Sequence, residues 1–128
     1  MKYQDLYLSF KEEFKKDGDI FEALEKENKL GSDDSEMIHV YFCLVVCPYV
    51  YDLLKKKDDE KLRKVFAFFE NMANDPDVEI QGVLQFSVLE NIVTESKEIY
   101  KAAQKYIGPE TKTFVNQVST YMDIEPMK

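Results

Sequence analysis

Four glycines and four prolines are too few to punctuate an all-β sandwich, so the turn inventory favours a few long helices. Two cysteines and one histidine do not make a disulfide framework, and nothing in cysteine usage points to an oxidising compartment. Nothing matches a nucleophile elbow, a phosphate-cradling glycine loop or an HExxH zinc helix, so the chain reads as a non-enzyme without a cofactor. From Val65 to Ser96 lysine and arginine are absent altogether. With a net charge of −8, the chain lacks the basic surface that phosphate contacts require, which disfavours nucleic-acid binding. The N-terminal segment MKYQDLYLSFKEEF is amphipathic and acidic, without the apolar core or small-residue cleavage site of a secretory signal, and it predicts a cytoplasmic protein.

Apolar residues make up 45% of the chain and aromatics 13%, enough to bury one core; residues 1–128 are expected to form a single all-α domain. Tyr3, Leu6, Tyr7, Phe10 and Phe14 recur at helical spacing, with Gly18 placed to end that helix in a left-handed conformation. Asp19 and Glu22 have the form of a capping box for a second helix reaching Leu30-Gly31. Asp33-Asp-Ser-Glu36 repeats the pattern before the longest apolar run, Met37 to Leu54. Too short and too broken by Pro48 to read as a membrane span, this run is expected to be a core helix, kinked or divided at Pro48. Lysines 55–57 followed by acids 58–60 mark the next boundary, each sign complementing a helix dipole. A helix carrying Leu62, Val65, Phe66, Phe69 and Met72 follows, and Asn74-Asp75-Pro76 predicts a cap with proline at the first position of the next. That next helix places Ile80, Val83, Leu84, Phe86, Val88, Leu89, Ile92 and Val93 on more than one face and should be central. Two more stripes, Ile99 to Ile107 and Phe114 to Met122, flank Gly108-Pro109. The expectation is an antiparallel helical bundle or HEAT-like stack of about six to seven helices.

His39, Cys43 and Cys47 share one side of a helix at four-residue intervals, but a structural zinc needs four ligands and the chain has no second histidine or third cysteine, so they read as packing residues. The six carboxylates of 65–96 are Glu70, Asp75, Asp77, Glu79, Glu90 and Glu95. Asp75, Asp77 and Glu79 suit a helix N-terminus, where free amides favour negative charge. Glu70 and Glu90 sit late in their helices, where the dipole disfavours them. Either each accepts a hydrogen bond from a neighbouring element, or they join Asn71 and Asn91 in a polar ridge that grips a partner. Phe69-Glu70-Asn71-Met72 and Leu89-Glu90-Asn91-Ile92 share one pattern at an offset of 20, as repeated helix pairs would.

FFENMANDPDVEIQGVLQFSVLENI, followed by YIGPETK, within Lys61 to Thr113, resembles a family of small bacterial HEAT-like helical-repeat proteins related to the immunity proteins of polymorphic toxin systems. The resemblance implies a cytoplasmic immunity protein that neutralises a basic toxin through an acidic face of Glu70, Asn71, Asp75, Asp77, Glu79, Glu90 and Asn91. An acidic surface would speed association with such a partner. Two other readings stand beside it: a helical scaffold binding through an apolar groove, and a pocket-based function that would have to collect His39 or Tyr41, Tyr49 and Tyr51.

Overall fold

A computed structural model describes residues 1–32 and 34–128; Asp33, and with it the first residue of the second capping pattern, lies outside the described residues. Seven helices follow one another: α1 (Leu6–Glu13), α2 (Gly18–Glu27), α3 (38–56), α4 (Asp59–Asn74), α5 (78–95), α6 (Lys97–Gln104) and α7 (Pro109–Tyr121). No strand occurs among the described residues, so the fold is all-α as the scarcity of turn residues requires.

Two of these helices form the centre. α3 packs against α1, α2, α4, α5 and α6, and α5 against α3, α4, α6 and α7. Their sequences explain this, because Ile38, Phe42, Val45, Val46 and Val50 of α3 and Ile80, Val83, Leu84, Val88, Leu89 and Ile92 of α5 are all removed from solvent. By length and composition residues 35–56 could cross a membrane, yet here the apolar side chains of α3 are mostly buried in the core. An aromatic cluster fastens α1 and α2 over α3 and α4: the Phe10 ring lies 4.9–6.1 Å from those of Phe14, Phe21, Phe42, Tyr49 and Phe68.

Both central helices depart from α geometry. α3 widens into a π-helical turn over Phe42–Val46, and α5 does so over Val83–Leu89. The first accounts for Pro48, which neither ends the helix nor divides it. Pro48 has no amide to offer the Leu44 carbonyl, and the wide turn just before it relieves the clash between its ring and the preceding turn. Asn28 Nδ2 reaches the Leu44 carbonyl at 3.4 Å from α2, so the acceptor that proline leaves open is used to tie two helices together.

Helix ends differ from expectation in a consistent way. Gly18 has φ −54° and opens α2 rather than closing α1, and Asp19 is not its cap. Glu22 pairs with Lys26 at 2.9 Å instead of reaching back. Pro76 precedes α5 rather than beginning it: Asp77 is the cap, accepting from the Glu79 amide, while Asp75 accepts from the Asp77 amide. Left-handed residues terminate α2, α3 and α7, but they are Lys29, Lys57 and Asp123, with φ of 57°, 58° and 54°. In each case the amide that follows bonds a carbonyl five residues back: Leu30 to Glu25, Asp58 to Leu53, Ile124 to Ser119. The hydrogen bonds carry these turns against a side-chain penalty of roughly 1 kcal/mol. Lys57→Gly is therefore expected to stabilise the protein by about 0.5–1 kcal/mol in urea unfolding with unchanged slope, whereas Lys56→Gly, one residue earlier and helical, should destabilise it by a similar amount.

Candidate functional site

The seven polar residues singled out by sequence do not act alike. Glu70 turns inward to α7. Its carboxylate accepts from the amides of Glu110 and Thr111 at 3.0 and 2.9 Å and from the Thr111 hydroxyl at 2.7 Å. Gly108, the residue before α7, has no side chain with which to cap that helix, so α4 supplies the cap. A Cβ on Gly108 would lie 2.7 Å from the carboxylate, which explains glycine there in an ordinary backbone conformation. Burial alone would raise the Glu70 pKa, but the bonds from Glu110 and Thr111 outweigh it and hold the carboxyl below its ordinary value.

Glu90 plays a corresponding part at the other end of α7, where it accepts from the Tyr121 hydroxyl at 2.5 Å. Asn91 faces α3, donating to the Ser87 carbonyl at 2.9 Å and lying 3.1 Å from Cys43 Sγ. Asp75 and Asp77 shape the turn into α5, and Asn71 and Glu79 are exposed. Glu70 and Asn91 thus hold the fold together, while Asp77, Glu79 and Glu90 remain around the outer side of α5.

That outer side contains what the hydrophobic pattern missed. Among the exposed and half-buried positions of α5, Val78, Gly82, Phe86 and Glu90 lie four residues apart along one line. Phe86, expected in the core, is 54% exposed, Val78 is 74% exposed, and Tyr121 beside Glu90 is 52% exposed. Gly82 carries nothing that would cover the Phe86 ring, since a Cβ there would lie 3.9 Å from Cδ2. By residue type Phe86 counts among the apolar positions of a central helix; in the fold it lies in the π turn of Val83–Leu89 on the same line as Val78, Gly82 and Glu90, facing out. The result is two aromatic rings, one anchored by a carboxylate, with acids at Asp77 and Glu79 near the start of the same helix.

His39, Cys43 and Cys47 line the seam between the two wide turns. His39 Nδ1 is 2.6 Å from Ser87 Oγ, and the Cys47 thiol donates to the Ser87 carbonyl at 3.4 Å. Burial pushes the Cys47 thiol well above its usual pKa, which removes its reactivity. Ser87 is itself buried, so the serine–histidine pair has no accessible nucleophile. Two further polar networks, partly buried, fasten the first helices. Glu25, 4% exposed, accepts from the Tyr7 hydroxyl at 2.5 Å and from Lys11 at 2.9 Å. Asp17 accepts from the Tyr49 hydroxyl at 2.5 Å and from Lys61 at 2.7 Å, tying the α1–α2 junction to α3 and α4. These bonds, added to burial, hold the Tyr7 and Tyr49 hydroxyls protonated.

Two outcomes follow for Glu70. Gly108→Ala should cost about 1–2 kcal/mol in an otherwise unchanged chain and much less in a Glu70→Ala background, a coupling that a double-mutant cycle reads directly. Because the folded-state pKa of Glu70 lies below its unfolded value near 4.5, the stability it contributes is complete above that pH and lost as pH falls through the folded value. The gap in urea midpoint between the unchanged chain and Glu70→Gln should be constant near neutrality and shrink below about pH 4.5.

No curated protein and no solved structure matches the chain. A family model described as a domain of unknown function, DUF7674, matches residues 7–122, from α1 to the end of α7. The chain therefore belongs to the DUF7674 family, and the matched region includes all seven helices and the exposed aromatic face of α5.

Proposed function

We propose that this protein is a non-enzymatic binding module whose contact face is the outer side of α5 with the end of α7, and that its partner is a basic protein domain. Phe86 carries the reading. An aromatic ring more than half exposed in the middle of one of the two most enclosed helices has lost burial worth about 1.5–3 kcal/mol, which a partner can restore. Tyr121, at the end of α7, has its hydroxyl held by Glu90, one turn along α5 from Phe86, so little side-chain freedom is lost on binding. Aromatic anchors ringed by a polar rim that excludes water are the usual centre of a protein interface. Asp77, Glu79 and Glu90 give this one a negative edge, while Asp75 is already paired with the N-terminal ammonium at 3.8 Å, and a basic partner gains association rate from the acids without an ion pair among the described residues. The immunity function implied by the sequence resemblance is the specific form of this reading: a cytoplasmic HEAT-like protein that occludes a basic toxin domain.

The test is co-expression with the product of the reading frame next to this gene, scored for toxicity to the cell, followed by measurement of the complex. Growth rescue and a stable complex are expected; neither appearing would end the immunity reading. Within the complex, Phe86→Ala should weaken binding by at least about tenfold through faster dissociation while leaving stability unchanged. Glu79→Lys should slow association several-fold and flatten its salt dependence. An affinity unmoved by Phe86→Ala would remove this face from the interface.

A further inference from the structure

We propose that a second docking surface, a furrow of about 450 Å³ between α2 and α3, seats a short basic amphipathic helix of a partner protein. Its floor is apolar, built from Ile20, Ala23 and Leu24 of α2 and Pro48 of α3. Ile20 is 42% exposed, and Leu44, one turn before Pro48, is exposed as well. Ala23, a small side chain, is among the residues lining it. Asp19, Glu27 and Asp52 edge it, and no lysine or arginine lines it. Among the described residues Asp52 pairs with Lys56, one turn along its own helix and mostly exposed, a pairing of little energetic weight.

Two ties keep this furrow in shape. At one end Asn28 Nδ2 bridges the Leu24 and Leu44 carbonyls, and at the other the Tyr49 hydroxyl bonds Asp17. A groove already formed costs a partner little reorganisation. Charge selects the occupant: aliphatic side chains fill the floor while lysines or arginines meet three carboxylates. A second copy of this chain would bring the same acidic rim against itself, with a net charge of −8 on each molecule, which disfavours self-association here.

The probe is a synthetic amphipathic peptide of leucine and lysine, titrated into the intact protein and followed by amide chemical shifts. Saturable shifts at Ile20, Ala23, Leu24 and Tyr49 are expected, with a Kd of about 10–100 μM. A peptide with glutamate in place of lysine should bind at least about tenfold more weakly. Ile20→Ser should weaken the lysine peptide about tenfold, while Glu79→Lys, on the α5 face, should leave it unchanged. Shifts confined to Val78–Glu90, or spread over all acidic residues without saturation, overturn the proposal. So do shifts at Ile20 and Ala23 that depend on protein concentration without peptide, which would identify a second copy as the occupant. Because the α5 face is tested by Phe86→Ala and this furrow by Ile20→Ser, either can fail alone.

Discussion

α3 and α5 bury apolar side chains on several sides, and the other helices enclose all but one outer edge of each. In a domain of this size only five other helices are available, so the two must also cover each other, and where they meet both widen into π turns. A π turn loosens main-chain bonding and leaves carbonyls seeking donors. His39, Cys43 and Cys47 on one side and Ser87 and Asn91 on the other supply a polar seam at that contact, with the Ser87 carbonyl accepting from both Asn91 and Cys47. What resembles a ligand stripe in sequence is the hydrogen-bonding lining of two irregular helices.

The outer helices are held by ties of a different kind. Glu70 and Glu90 occupy matching places in the repeated apolar-Glu-Asn-apolar phrase, and both grip α7, one at its first turn and the other at its last tyrosine. The repeat is thus functional at the glutamates and lapses at the asparagines, since Asn71 is exposed while Asn91 enters the seam. α1 and α2 are fixed by Glu25 and Asp17, each collecting a tyrosine hydroxyl and a lysine. Removing either carboxylate would strand two donors in a half-buried setting, so these contacts specify geometry more than they add net stability.

Helical periodicity made the class, the order of elements and the central position of α5 legible, because those follow from which residues must leave water. Three things escaped it. Left-handed helix ends fell on Lys29, Lys57 and Asp123, where five-residue hydrogen bonds overrule the preference for glycine, while Gly18 and Gly108 serve as a helix start and a close approach to Glu70. Asp17, the residue at the N-cap of α2, gives its side chain to Tyr49 and Lys61 instead, a tertiary demand invisible locally. Phe86, one of the apolar positions of a central helix, stands 54% exposed on the outer side of α5, because an apolar residue type does not by itself say that a neighbouring helix covers it. The acids near that face were visible in sequence; which of them the fold uses for itself was not.

That division of labour gives the surface its character. A carboxylate with three donors, like Glu70, has its oxygens already occupied and offers a partner little, whereas the Glu79 carboxylate has no hydrogen bond or ion pair among the described residues and stands open to a partner. Because no lysine or arginine lies between Val65 and Ser96, α5 itself supplies nothing to balance the remaining acids. Their field extends over about a Debye length and is weak in any one pair, so it guides approach more than it holds a complex. Holding falls to the desolvated rings of Phe86 and Tyr121, which act only at contact. Approach and retention thus rest on different residues of one face, and the first depends on salt while the second does not.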